Sequence, residues 1–414
     1  MKPKKILVIA PYGFNDRMSS FIEFVSARVL AKNGWKVFAL AKSDNNICGV
    51  EHVHGINIYR YNSLLRGLFF GVRIIFMKRP SIVHFHNLRN NRVGILISML
   101  SKLLRIPLVF TEYGLLHDHY LTDDRDDPLN QPMHPERVIM SIRQVFLSLR
   151  KGMKIRDAFS SYVFHWPLAH ADAAIFISKH NLRIAELLGV KHFLYLPHIM
   201  DDYRWGVTGV DLNEDTRRQH EQILETLQKI KSEKNVLFIG QMKLRKGWDI
   251  LLRAIPHIPE SIVKNIIVVS ASGNASSREF TLLADSLGVG HRIVFLGQVL
   301  DSKILQDIYT TSEAVLVPSR YEGFGLVPTE AFAIKKPVIA TQVEALSDFL
   351  TDGYNALLVD KEDHQKLAEA IVRVMTDSNI ALRLVKGGEA TLQKMKSKEG
   401  HQKWLYYYET FLKI

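Results

Sequence analysis

Short apolar runs rich in β-branched residues alternate along the chain with longer stretches of helical period. In the first half the runs are residues 5–10, 35–40, 82–86, 108–111 and 173–177, with helical patterns over 21–32 and 93–104. In the second half they are 236–240, 266–270, 293–297, 314–318, 337–341 and 356–359, each followed by a helical stretch. Continuous apolar strands joined by crossover helices predict parallel sheets covered on both faces. Two such sets in 414 residues predict an α/β protein of two doubly wound, Rossmann-like domains, 1–200 and 201–399. Pro197 closes the last strand of the first half, and the polar stretch 201–215 has no clear period. The final helix, 400–414, carries Trp404, Tyr406, Tyr407, Tyr408 and Phe411 and must dock on something, with the first domain the expected partner. Open parallel sheets bind ligands beyond the carboxyl ends of their strands, so a cleft between two facing domains is the expected site.

Composition narrows the class. With 47% hydrophobic and 23% charged residues the chain reads as globular. Its single cysteine, Cys48, excludes an internal disulfide and any Cys-rich metal site. No apolar run reaches the roughly 18 residues of a membrane span; the best candidates, 64–77 and 93–104, are interrupted by Arg73 and Lys102. Lys2, Lys4 and Lys5 precede an apolar stretch too short for a signal peptide, so a cytoplasmic chain is expected. The net charge of +12 is lopsided: residues 1–200 hold 27 Lys/Arg against 14 Asp/Glu, and residues 201–414 hold 27 against 28. The basic half points to an anionic partner, such as a membrane surface, nucleic acid or a phosphorylated acceptor.

No GxGxxG, P-loop, HExxH or GxSxG motif is present. The informative string is Pro318-Ser319-Arg320-Tyr321-Glu322-Gly323-Phe324-Gly325-Leu326-Val327-Pro328-Thr329-Glu330. It leaves an apolar strand, turns through two glycines and enters a helix whose first N–H groups suit an anion. Carboxylates pair with vicinal hydroxyls, so acids for hydroxyls beside amides for phosphates describe a sugar-nucleotide site.

This string resembles the donor-binding motif of retaining GT-B glycosyltransferases, family 4 in particular (glycosyl transferases group 1). The stretches Val236–Lys246 with Gly247, Val294–Gly297 and Lys336–Thr341 are similar to the family's successive second-domain segments; the first half resembles it more weakly, at 6–13 and 81–87. The resemblance implies that Glu322 faces the donor sugar, Glu330 holds the ribose, and the amides of Gly323, Phe324 and Gly325 meet the diphosphate. Lys246 matches the lysine that neutralises the leaving phosphates, where a fixed cation stabilises developing charge. Where the family usually has an arginine, Gln241 follows Gly240, and Arg245 or Arg320 is the expected compensation. The resemblance implies an active-site histidine at the end of a first-domain strand; here Thr111-Glu112 leads to Tyr113, so the histidine is expected to have shifted to His117 or His119, or Tyr113 to take its place. The resemblance also implies that Gly13, in the first strand-to-helix turn, borders donor phosphates and acceptor.

His84 and His86 are read as alternating on their strand, so that only one faces the cleft; His86, nearer the carboxyl end, is the acceptor-site candidate. The acidic run 123–127 reads as a solvated loop, and no metal or other cofactor is expected. Segment 137–166 reads as a basic amphipathic helix followed by Tyr162, Phe164 and Trp166, suited either to an anionic bilayer surface or to packing on its own domain. The expected activity is transfer of a sugar from a nucleoside-diphosphate donor to a glycan or lipid-linked acceptor, in cell-surface polysaccharide or glycolipid synthesis, with the chain cytoplasmic or peripheral on the membrane's inner face. The alternatives are a catalytically impaired sugar-nucleotide binder, motivated by Gln241 and Tyr113, and a basic nucleic-acid-binding protein, disfavoured for want of a reading motif.

Overall fold

The computed structural model describes residues 4–10, 14, 22–43, 48–86, 91–112, 138–190, 192–200, 214–270, 275–299, 301–343 and 345–411. The chain divides into two units: Met1–Thr122, Pro132–Asp201 and Met395–Ile414 form the first, and Asp202–Lys394 the bulk of the second.

The strands of the first unit are β1 (Lys5–Ile9), β2 (Lys36–Lys42), β3 (Gly49–Val53), β4 (Ile56–Tyr61), β5 (Ile82–His86), β6 (Leu108–Glu112), β7 (Ala173–Phe176) and β8 (Phe193–Tyr195). Its helices, as far as residue 200, are α1 (Ile22–Lys32), α2 (Leu64–Arg73), α3 (Arg92–Leu103), α4 (Ile142–Arg150), α5 (Ile155–His170) and α6 (Lys179–Leu187). Among the described residues the strands form one sheet in the order β3-β4-β2-β1-β5-β6-β7-β8. All neighbours run parallel except β3, which pairs antiparallel with β4 across a tight turn at His54 and Gly55. Central strands such as β1 and β5 are buried on both faces, as continuous apolar runs require.

In the second unit the strands are β9 (Asn235–Ile239), β10 (Asn265–Val269), β11 (Ile293–Gly297), β12 (Ala314–Val317), β13 (Val338–Thr341) and β14 (Leu357–Val359). The helices are α7 (Glu214–Ile230), α8 (Trp248–Ala254), α9 (Ala275–Ser286), α10 (Ser302–Thr311), α11 (Leu326–Ala333), α12 (His364–Thr376) and α13 (Ser378–Met395). The sheet order, β11-β10-β9-β12-β13-β14, is all parallel and follows the 3-2-1-4-5-6 pattern of doubly wound folds. Its strand order reverses between β9 and β12, which places the ligand crevice of such a sheet at the loops after those two strands.

A last helix, α14 (Lys398–Phe411), belongs to the first unit and packs on α1. Trp404 and Tyr408, both buried, anchor it: the Trp404 indole donates to the Pro197 carbonyl at 3.2 Å, and the Tyr408 hydroxyl bonds His84 Nδ1 at 2.6 Å. Trp35 meets Tyr408 edge to face, and Lys4 pairs with Glu409.

Segment 137–166 is not one helix. Gly152, at φ +91°, breaks it into α4 and α5, and Tyr162, Phe164 and Trp166 pack inward against buried apolar side chains instead of outward.

Candidate active site

The loops after β9 and β12 meet through backbone. Gly247 sits at φ +69°, and a Cβ there would lie 1.8 Å from the Pro318 carbonyl oxygen, so only glycine allows the approach. The Arg320 N–H donates to the Arg245 carbonyl at 2.8 Å, closing the same joint. Gly240 plays a smaller part: its missing side chain leaves room for the Lys246 stem, 3.3 Å from where a Cβ would stand.

Across this joint Lys246 Nζ donates to Glu322 Oε1 at 2.6 Å, and the Ser319 hydroxyl donates to the same oxygen at 2.7 Å. Both partners are sheltered, with side-chain exposures of 15% and 7%. Burial pushes the Glu322 carboxyl up, but the charges of Lys246 and Arg245, with the hydrogen bonds from Lys246 and Ser319, outweigh it and hold the group below its ordinary value. It is therefore ionised at neutral pH. Ser319 is fixed in turn by Thr341, whose hydroxyl donates to the Ser319 carbonyl.

Gly325 begins α11 at φ +94°, where a Cβ would collide with Leu346 at 2.3 Å, and no side chain caps the helix's first turn. The Phe324 ring stacks on Phe349, 5.1 Å between centroids, while Gly323 stays partly exposed. Just over one turn into α11, Glu330 is buried and accepts from the Tyr309 hydroxyl of α10 at 2.7 Å.

The two candidate compensating arginines differ. Arg320 is spent inside the unit: its guanidinium grips Asp249 at 2.6 and 2.8 Å, reaches Glu362 at 2.8 Å and donates to the Leu244 carbonyl. Burial opposes its charge, yet Asp249 and Glu362 raise its pKa above the ordinary value, so Arg320 braces the loop from behind and has no charge to spare for a phosphate. Arg245 lies beside Gln241, with Nη2 3.4 Å from Oε1, and over the Tyr321 ring. A cation thus stands next to Gln241, four residues on.

In the first unit His84 and His86 share one side of β5, with rings 3.8 Å apart; residues two apart on a strand face the same way, so they do not present opposite faces. His86 is wholly buried, and burial pushes its pKa down to about 3, leaving a neutral imidazole with no exposed atom for an acceptor. His84 is held between Tyr408 and Thr111, 2.7 Å from the latter's hydroxyl. Gly13, Tyr113, His117, His119 and the acidic run 123–127 lie outside the described residues. Among the described residues no three His, Cys, Asp or Glu side chains stand so as to hold a metal ion, and no helix is long and apolar enough to cross a membrane.

Ser319, Tyr309, Asp249 and Glu362 are site residues that sequence reasoning did not single out. Only Ser319 carried a local signal, its place within the framed string.

Two parallel-sheet units of this kind match the fold of solved GT-B glycosyltransferases. Residues 219–391, which lie within the second unit, match the model of the family Glycosyl transferases group 1. A D-inositol 3-phosphate glycosyltransferase of Xylanimonas cellulosilytica is 35% identical over 160 residues, 38% of this chain and 38% of that protein. The chain thus aligns with less than half the length of that curated relative. Over the whole fold the chain is similar to sucrose-phosphate synthase from Thermosynechococcus elongatus, with TM-score 0.73, 21% identity and coverage of 99% of this chain and 100% of the other. It is also similar to Anabaena HepE solved with UDP-glucose, with TM-score 0.66, 16% identity and coverage of 98% and 99%.

Proposed function

We propose that the protein is a nucleotide-sugar-dependent glycosyltransferase, retaining and metal-independent, acting on a hydroxyl of a glycan or lipid-linked acceptor. The observation that carries the reading is the sheltered Lys246–Glu322 pair at the joint of the two switch-point loops, beside the uncapped start of α11. In this reading the donor diphosphate lies on the α11 amides and Lys246, which stabilise the charge that builds as the anomeric C–O bond breaks. Glu322, ionised, receives donor-sugar hydroxyls, and Glu330, aimed by Tyr309, receives the ribose. Arg245 supplies beside Gln241 the second positive charge. The acceptor oxygen bonds the anomeric carbon on the face the phosphate leaves, and the departing phosphate oxygen takes its proton. Catalysis then rests on positioning and charge stabilisation.

The test is mass spectrometry and anomeric NMR of products from a panel of nucleoside-diphosphate sugars with glycan and isoprenoid-linked acceptors. Glycoside of retained configuration, formed equally in a chelator, is the expected result; an inverted product or a metal requirement refutes the mechanism. Gln241 favours one second reading, a sugar-nucleotide binder without turnover, which binds the donors and yields no product.

A further inference from the structure

Helix α2 and the π-helical turn that continues it, Ile74–Lys78, bury Ile74 and Ile75 and half-bury Leu68 and Phe70, yet carry a second set of large apolar side chains on the outside. The two fully buried residues of α2 are glycines. A Cβ at Gly67 would lie 2.6 Å from Val93 and 2.9 Å from Tyr61, and one at Gly71 would lie 2.4 Å from Ile97. The backbone therefore rests directly on α3 and the sheet. Outward stand Leu65, Phe69, Val72 and Phe76, 80%, 61%, 38% and 56% exposed, at spacings of four, three and four that align them in one stripe. A helix that merely covered a core has no need of a second apolar stripe on its outer side. The layer continues, α2 packing on α3, α3 on α5 and α5 on α4, and Phe146 and Ile155 of the last two are again more than half exposed.

The charge around this stripe has one sign. From residue 52 to 111 there is no Asp or Glu and there are nine Lys or Arg, among them Arg66, Arg73, Lys78 and Arg79, all exposed. Residues 138–156 likewise hold Arg143, Arg150, Lys151, Lys154 and Arg156 and no acid. An ordinary solvated face mixes both signs, and a second copy of this chain would bring cations against cations. Apolar side chains rimmed by cations fit a surface that is anionic at its rim and apolar below it.

We infer that the first unit docks on an anionic lipid bilayer, with α2 lying in the interface plane, its Leu65–Phe76 stripe at the acyl boundary and the surrounding Arg and Lys among the headgroups. This does not depend on the donor chemistry, and its failure would leave the proposed activity standing.

The test is co-sedimentation of the full chain with phosphatidylglycerol/phosphatidylcholine vesicles and with phosphatidylcholine alone. Binding to the anionic vesicles, weakened by salt, is expected. Replacing the exposed Phe69→Ser and Phe76→Ser together is expected to lower the partition coefficient about tenfold or more, while circular dichroism, melting temperature and nucleotide affinity stay put. Arg66→Gln, Arg73→Gln and Lys78→Gln together are expected to remove the salt-sensitive part. Absence of wild-type binding at low salt overturns the inference, as does undiminished binding of the double serine variant. So does a concentration-dependent dimer that the same variant dissolves, since the stripe would then serve a second copy.

Discussion

The Lys246–Glu322 pair supports a thermodynamic cycle. At 2.6 Å and an effective dielectric of about 20, the gross attraction is about 6 kcal/mol, most of it offset by the dehydration of two sheltered charges. Removing one partner of such a pair typically costs about 3–5 kcal/mol, because the other stays buried and uncompensated, whereas replacing both by neutral groups of like volume is close to neutral. Lys246→Met is therefore expected to destabilise the second unit by about 3–5 kcal/mol, and Lys246→Met with Glu322→Gln to recover most of that loss, a coupling of about 2 kcal/mol or more. Hydrogen exchange at the β9 and β12 amides reads the stability of this unit alone. The pH dependence has a definite sign. Glu322 is held below its ordinary value, so the contribution of the pair is full above the ordinary carboxylate range and disappears as pH falls through the lower, folded-state value. In both lysine variants nucleoside-diphosphate affinity falls about ten- to a hundredfold, the equivalent of one charge-assisted contact of about 1.5–3 kcal/mol. A lysine variant as stable as wild type, or a double variant no better than the sum of the singles, would refute the electrostatic account.

Glu330→Gln keeps an acceptor for Tyr309 and removes the charge; calorimetry is expected to show roughly tenfold weaker nucleotide binding, and an unchanged affinity sinks the ribose assignment. Gly247→Ala forces a Cβ onto the Pro318 carbonyl at positive φ and is expected to cost more than about 2 kcal/mol, visible as a lowered melting temperature; a neutral effect would mean the two loops are free to part. The first unit is expected to be acid-sensitive. Burial depresses His86 to about 3 and His165 and His198 to about 4, so the unfolded chain takes up protons that the folded one refuses. Their contribution is whole above about pH 6.5 and falls by about 1.4 kcal/mol per pH unit for each histidine below it. Calorimetric melting at pH 7, 6 and 5 checks this, and a flat profile contradicts it.

Much of the fold was legible because the central strands of both sheets are buried, and a buried parallel strand advertises itself as an unbroken apolar run. The hairpin of β3 and β4 escaped notice for the opposite reason. Gly49–Val53 is an edge strand with partly exposed side chains, and only the His54-Gly55 turn marks it. The reading of 137–166 as one helix failed because its basic and apolar residues keep a helical look across Gly152, and composition does not show which way Phe164 and Trp166 face. At the candidate site the sequence string supplied the residues that share one loop. Their partners came from elsewhere: Asp249 and Glu362 clamp Arg320 from 71 and 42 positions away, and Tyr309 reaches Glu330 from 21. Nothing local distinguishes such an aspartate from a solvated one, so Arg320 looked available when it was not.

The attachment of α14 to the first unit bears on the order of events during synthesis. The second unit is nearly one continuous stretch, Asp202–Lys394, and emerges from the ribosome with its whole sheet in hand. The first unit begins earlier but stays incomplete: the hydroxyl that holds His84, the indole that meets the Pro197 carbonyl and the ring beside Trp35 all arrive about 200 residues after Asp201. Until then the surface that receives Trp404 and Tyr408 is open, and the N-terminal half is the part that a chaperone would have to shelter. The half made first is the half finished last.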